Sequence, residues 1–174
     1  MAVVEAIATT YVEADQASVT FSSLGSYEHL QLRCSIMGGR DGSTNNTLLV
    51  LNGDTSSTGY SNQSLFAGAS STYNTAQTGE NAFGRFYNTT PSVSSEDQAS
   101  FAMGIIDILD YRNTNKNTSV FMHFGANLGS YWYHYETSGV WDNTAAVTSV
   151  TVIMDPTYNT ARGTMVSLYG LNSS

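Results

Sequence analysis

Positively charged residues are scarce in this chain of 174 residues. It has five arginines and one lysine, Lys116, and its formal net charge is −8 at pH 7. Because binding to nucleic-acid phosphates needs clustered cations, the composition argues against a nucleic-acid partner. Only 11% of the residues are charged, which excludes a coiled coil with charged flanking positions.

Long apolar runs and cysteine pairs are also missing. No run approaches the ~18 residues of a membrane span, so no membrane partner is expected. The segment Met1–Val12 lacks the basic start and long apolar stretch of a signal peptide, and classical secretion is therefore not expected. Cys34 is the single cysteine, which excludes an internal disulfide framework. Its neighbours Leu32 and Ile36 predict a small core residue rather than a nucleophile.

Ser, Thr and Asn together make up a third of the chain. These residues suit turns and the solvent-facing sides of strands, and they are mediocre inside helices. Hydrophobic residues make up 41% of the chain, with eleven Tyr, seven Phe and two Trp, so the chain has the material for a core and is not disordered. The length predicts one domain over residues 1–174.

Apolar residues alternate with polar ones in many segments, and helical periodicity hardly appears. In Glu28–Met37, for example, Leu30, Leu32, Cys34 and Ile36 share one face. The pattern predicts eight or nine strands, drawn from Val3–Val12, Ser18–Phe21, Glu28–Met37, Thr47–Leu51, Gln98–Tyr111, Thr118–Phe124, Tyr131–Tyr135, Ala146–Met154 and Thr164–Leu171. We therefore expect an all-β fold, an antiparallel two-sheet β-sandwich with a jelly-roll-like topology, in which Val150 and Val152 are also buried.

Two irregularities are expected in this sandwich. In Gln98–Tyr111 the apolar phase shifts from Met103 and Ile105 to Ile106 and Ile108, which predicts a β-bulge between Ile105 and Ile106. The segment Asp54–Ser95 has no convincing strand pattern and predicts one long loop excursion, with a short helix near Glu80–Phe86. Because ordering so long a loop is costly, we expect it to supply contacts between molecules.

Five short motifs follow one another over nearly the whole length of the chain. They are Ala17–Leu24, Tyr27 with Leu30–Leu32, Leu51–Asp54, Trp141–Thr151 and Val166–Leu171. This ordered set resembles small structural proteins of tailed bacteriophages, notably phages of cyanobacteria and marine bacteria. The resemblance implies a virion β-sandwich found on capsid exteriors or in tail parts, without catalytic residues. A short chain that starts at Met1 with no fibre attached looks more like a capsid decoration (cement) protein than a fibre tip.

Catalytic and metal-binding patterns do not stand out in the sequence. His29, His123 and His134 are far apart, and although His123 and His134 can meet on adjacent strands, we interpret them as exposed or hydrogen-bonded positions. The acids Asp107 and Asp110 are interpreted as solvated groups rather than a glycosidase pair. The oxygen-rich turns Asn52–Thr55 and Asp155–Pro156 are interpreted as Asx turns rather than calcium ligands. We expect no enzyme activity, no cofactor and no metal.

The stretch Tyr131–Glu136 is the most suggestive local feature. On a strand, the tyrosines at 131, 133 and 135 share one face, and Trp132, His134 and Glu136 share the other. We expect the tyrosine face to enter the core and Trp132 to lie outward, at an interface with another subunit or at a glycan. The candidate interface or ligand residues are Trp132, His134, Tyr60, Phe66, Tyr73, Phe83 and Phe86.

Two functions remain open at this point. The first is a decoration protein on the capsid exterior that binds the major capsid protein as a homodimer or homotrimer and stabilises the shell. The second is a tail-associated receptor-binding or carbohydrate-binding module. The first needs many modest contacts over a broad surface. The second needs exposed aromatic rings beside polar groups.

Overall fold

The structure is a computed structural model that describes residues 3–39, 44–68, 72–84, 90–91, 101–127, 132–154 and 158–172. Within these residues the secondary structure is entirely β. The strands are β1 Val3–Tyr11, β2 Ser18–Phe21, β3 His29–Ile36, β4 Thr44–Asn45, β5 Thr47–Leu51, β6 Tyr60–Gly68, β7 Thr72–Glu80, β8 Thr90–Pro91, β9 Ala102–Leu109, β10 Thr118–Asn127, β11 Trp132–Trp141, β12 Val150–Met154 and β13 Met165–Asn172. The described part of the chain contains no helix that is long and apolar enough to cross a bilayer.

Two antiparallel sheets form a β-sandwich of unequal layers. The large sheet has eight strands in the order β1-β13-β3-β9-β10-β11-β6-β7, and the small sheet has three in the order β2-β12-β5. The strands β4 and β8 pair separately. The predicted all-β sandwich is therefore confirmed, with an eight-to-three division of its strands. Counted in strands, the large sheet is therefore more than twice as wide as the small sheet.

The core lies between the two sheets. The predicted core residues Leu30, Leu32, Cys34, Ile36, Val150 and Val152 are all buried, which confirms their assignment. They pack with inward side chains from the other strands, such as Phe124 on β10 and Leu51 on β5. Trp141, at the end of β11, is the largest fully buried side chain. The alternation seen in the sequence of β3 is thus the alternation between core and solvent.

The β-bulge expected between Ile105 and Ile106 is wrong. Strand β9 pairs in unbroken register with β3 on one side and β10 on the other. Ile106 and Ile108 face the core, whereas Met103 and Ile105 face outward and are exposed. The sequence showed two apolar phases because both faces of β9 are apolar, and no register shift separates them.

The long loop excursion expected over Asp54–Ser95 is also wrong. Its described part contains two nine-residue strands, β6 and β7, which extend the large sheet at one edge. The short helix expected near Glu80–Phe86 is absent from the described residues up to Gly84, where Phe83 instead makes an isolated bridge with Leu49. Beyond Gly84 the structure describes only Thr90–Pro91 of this segment, and Phe86 lies outside the described residues. The part that forms β6 and β7 therefore belongs to the large sheet and is not an appendage.

Candidate functional site

The side of the large sheet that faces away from the small sheet is called the outer face here. It carries an unusual number of large apolar side chains in solvent. Met103 is 76% exposed, and Ile105, Phe121 and Met165 are each exposed by more than a third. Single exposed apolar residues are normal, but a contiguous apolar patch on a folded chain marks a contact surface.

Strand register explains how Met103, Ile105 and Met165 come together, whereas Phe121 lies one row away, opposite Asp107 and Ser138. In two neighbouring rows across the sheet, residues on adjacent strands lie directly opposite each other. One row contains Arg33, Ile105, His123, Glu136 and Leu65, and the other contains Met165, Ser35, Met103, Gly125 and His134. Opposite residues have their Cβ atoms only ~5 Å apart, so the rows form continuous surface.

A shallow groove of about 710 Å³ runs along this patch. Its lining includes Phe101, Met103, Ile105, Gly125 and Met165. A side chain at Gly125 would point into open space, where only the carbonyl oxygen of Tyr133 is near, at 3.8 Å. The missing side chain at 125 therefore leaves open space in the groove beside Met103, its partner on β9.

A polar network borders the apolar patch. The Arg33 guanidinium lies 4.9 Å from the ring centroid of Tyr169, and its Nε–H donates to Oε1 of Gln31 at 3.1 Å. Nε2 of Gln31 in turn donates to Oδ1 of Asp107 at 2.9 Å. An apolar centre with a hydrogen-bonded polar rim is the usual anatomy of a protein interface.

Three side chains with metal-ligating atoms meet at the other border of the groove. His123 on β10 lies opposite Glu136 on β11, and His134 is the next outward residue of β11. The Oε1 atom of Glu136 is 3.6 Å from Nδ1 of His123 and 3.4 Å from Nε2 of His134. The two imidazole rings contact each other edge to face, with centroids 4.6 Å apart. The structure therefore brings His123 and His134 together and adds Glu136.

Trp132 lies outward as predicted, with 64% of its surface exposed, on the same face as His134 and Glu136. On the opposite face, Tyr135 is buried and Tyr133 is half-buried, with its ring 5.4 Å from that of Phe66. Tyr131 lies outside the described residues. The expected division of this strand into an aromatic inner face and a Trp132–His134 outer face is confirmed for the described positions.

Three of the other predicted interface residues, Tyr60, Phe66 and Phe83, are not on the surface. Tyr60 and Phe83 are completely buried in the main core, and Phe66 is buried against Tyr135. These three residues serve in packing. Strand β6 directs the rings of Tyr60 and Phe66 inward, and the bridge to Leu49 does the same for Phe83. The side chain of Tyr73 and the whole of Phe86 lie outside the described residues, so their roles stay predictions.

The remaining chemical candidates that the structure describes have partners within the protein. Asp107 accepts the hydrogen bond from Gln31, and Asp110 pairs with Lys116, whose hydrogen bond is the main cause that lowers the pKa of the Asp110 carboxyl. Oδ1 of Asn52 accepts hydrogen bonds from the amides of Thr148 and Ser149 at 2.7 and 3.1 Å. The Asn52 turn thus joins the chain before β12 to the end of β5. The turn at Asp155–Pro156 lies outside the described residues.

Sequence reasoning missed the apolar outer face and the place of Glu136 beside two histidines. The β-bulge predicted from the sequence would put Met103 and Ile105 on the same face as Ile106 and Ile108. Without a bulge, the two pairs lie on opposite faces of β9. The pairing of His123 with Glu136 depends on the register of β10 and β11, which no local pattern specifies. Comparison with known proteins adds nothing to either feature: no protein-family model, curated protein or solved structure matches this chain.

Proposed function

We propose that this chain is a non-enzymatic structural protein of a phage virion, which decorates the capsid exterior and stabilises the shell. Its main partner is the major capsid protein, and it acts as a homo-oligomer, a dimer or a trimer. The sequence resemblance to small phage structural proteins motivates the proposal. The observation that carries it is the exposed apolar outer face of the large sheet, where Met103 is 76% exposed.

The outer face suits adhesion to another protein surface. Apolar area that is exposed on the free chain contributes roughly 25 cal/mol per Å² when a partner covers it. The surrounding network of Arg33, Gln31 and Asp107 supplies a polar rim that fixes orientation. A decoration protein needs such a broad surface with many modest contacts, because its work is to link neighbouring shell subunits against internal pressure.

The experiment that tests this proposal is a count of the chain in purified virus particles. Quantitative mass spectrometry of particles from the phage that encodes it compares the chain with the major capsid protein. Decoration predicts a copy number comparable with that of the major capsid protein. A few copies per particle would assign the chain to the tail, and absence from the particle would refute the virion role.

Paired variants then identify the surface used. Met103→Ser combined with Ile105→Thr removes apolar area from the outer face and is expected to weaken particle binding and oligomerisation. Thr20→Ala is the matched control, because Thr20 is exposed on the small sheet, where its hydroxyl pairs with that of Thr151 at 3.0 Å. Equal binding by both variants would exclude the outer face as the attachment surface.

A second candidate function is a tail-associated module that binds a receptor or a carbohydrate. One observation favours it: Trp132 is 64% exposed beside the polar groups of His134 and Glu136. An exposed indole can stack on the C–H face of a sugar while neighbouring polar groups bond its hydroxyls.

A glycan array separates the two candidates. The carbohydrate function predicts selective binding that Trp132→Ala abolishes and that the outer-face variant at Met103 and Ile105 retains. The decoration function predicts no selective glycan signal and a particle-binding defect in the outer-face variant.

A further inference from the structure

Three potential metal ligands converge on one point of the outer face. The candidate donor atoms of His123, His134 and Glu136 all lie within 4.8 Å of one another. The two distances that involve Glu136 Oε1 are 3.4 and 3.6 Å. A tetrahedral ion with bonds of about 2.0–2.1 Å separates its donors by roughly 3.3 Å. Two of the three separations are therefore already close to those of a coordinated ion.

The sheet holds the three residues in a fixed frame. Strands β10 and β11 both lie in the interior of the large sheet, flanked by β9 and β6. His123 and Glu136 are direct cross-strand partners, and His134 is the diagonal neighbour of His123, within reach of a long side chain. Gly125 lies opposite His134, so no side chain stands between the two imidazoles. The convergence follows from register and does not depend on a loop.

We propose that His123, His134 and Glu136 form a binding site for a divalent transition-metal ion, with Zn²⁺ as the best match. Two imidazole nitrogens and one carboxylate oxygen suit Zn²⁺, whereas Ca²⁺ and Mg²⁺ need more oxygen ligands. The formal net charge of −8 adds a general attraction for cations. The site lies on the same outer face as Met103 and Ile105, but the proposal of a metal ion does not rest on the virion function.

Three protein ligands leave one position of a tetrahedral ion free. The His123 and His134 side chains are each 46% exposed and that of Glu136 is 38% exposed, so water reaches the site directly. The fourth ligand is therefore an exchangeable water molecule or a donor group from a bound molecule. Such an open position distinguishes this site from a closed structural zinc site with four protein ligands.

Calorimetric titration tests the site. The full-length protein is freed of metal by dialysis against a chelator and titrated with Zn²⁺, and one ion per chain is expected. The variants His123→Gln, His134→Gln and Glu136→Gln should each weaken binding at least about tenfold, since even loss of an outer partner of a ligand has an effect of that size. The matched control is His29→Gln on β3, which keeps the affinity of the wild type.

Fluorescence gives a second readout that locates the ion. Trp132 lies on the same face as His134, two residues away, whereas Trp141 is buried in the core. Added Ni²⁺ or Cu²⁺ should quench the emission of Trp132, and a chelator should restore it. Trp132→Phe should abolish the quenching and retain Zn²⁺ binding by calorimetry.

Two results would overturn the proposal. One is the absence of Zn²⁺ binding in the wild-type protein by both readouts. The other is binding that persists unchanged in all three ligand variants. Circular dichroism of each variant checks that the sheet is retained. If one variant misfolds, the site is still tested in the wild-type protein, where a chelator should reverse the quenching of Trp132.

Discussion

The indole Nε1–H of Trp141 donates a 2.7 Å hydrogen bond to Oδ2 of Asp54. Trp141 ends β11 of the large sheet, and Asp54 closes the turn that follows β5 of the small sheet. The other carboxylate oxygen, Oδ1, accepts a 3.0 Å hydrogen bond from the amide of Ser56. These bonds, with that of Trp141 as the largest cause, lower the pKa of Asp54 below its ordinary value of 3.8. One carboxylate thus connects the two layers of the sandwich.

Removing this carboxylate should destabilise the fold. Asp54→Ala leaves the buried Trp141 donor without its partner, and we expect the free energy of unfolding in urea at pH 7 to fall by about 1–3 kcal/mol. The control is Asp142→Ala, which removes an exposed carboxylate bonded to Ser61 and should change stability by less than about 0.5 kcal/mol. Equal effects of both variants would contradict the role of the Asp54–Trp141 bond.

The same pair predicts a pH dependence. The pKa of Asp54 is lower in the folded protein than its ordinary value of 3.8. The ionised carboxylate therefore contributes fully to folding stability above pH 3.8, and this stabilisation is lost as the pH falls through the pKa of the folded state. The stability difference between the wild-type protein and Asp54→Ala should therefore be constant near neutrality and narrow below about pH 3.8. Urea unfolding at a series of acidic pH values measures it, and a difference that narrows between pH 7 and 5 would contradict this assignment.

Two glycines on neighbouring strands should respond oppositely to substitution by alanine. A Cβ at Gly104 would overlap the ring of Phe124, whereas a Cβ at Gly125 would meet open space. We expect Gly104→Ala to lower the unfolding free energy by about 1–3 kcal/mol because of overpacking. Gly125→Ala should be neutral or slightly stabilising. Adding Phe124→Leu should restore part of the stability that Gly104→Ala removes. If thermal unfolding instead shows that the stability losses of the two substitutions simply add, the proposed overlap with Phe124 is contradicted.

The cysteine should be inert in the folded protein. Burial raises the pKa of the Cys34 thiol to about 12, and the residue is 3% exposed. Because the thiolate is the reactive form, a thiol reagent at pH 8 should label the native chain very slowly and the guanidinium-unfolded chain at once. Fast labelling under native conditions would show that β3 is not a stable part of the core.

The sequence predicted strands wherever one face is apolar and the other polar, and β3 is the clearest case. The sequence did not predict strand β6, because two of its inward positions, Asn62 and Ser64, are polar although they are buried. Ser64 is satisfied there by hydroxyl contacts with Tyr135 and Thr137 at 3.0 and 2.8 Å. Both partners are on β11, which pairs with β6. The buried position of Ser64 can therefore be explained only when the strand pairing is known.

The candidate site was only partly predictable for a related reason. The outward position of Trp132 and His134 follows from alternation along one strand. The proximity of His123 to Glu136 and Met103 depends on the register of β9, β10 and β11. That register is set by the whole sheet and not by a local sequence pattern. An apolar residue such as Met103 suggests a core position by its chemistry alone, but it lies in solvent because it is on the face of β9 that points away from the small sheet.

The most direct test of the proposed virion role is a comparison of Met103 oxidation in the free chain and in the virus particle. Hydroxyl-radical footprinting with mass spectrometry measures the rate, and the buried Met122 and Met154 serve as internal references. If the outer face attaches the protein to the capsid, Met103 should oxidise rapidly in the free chain and at a rate close to that of the buried methionines in the particle. Equal rapid oxidation of Met103 in both states would contradict attachment through this face.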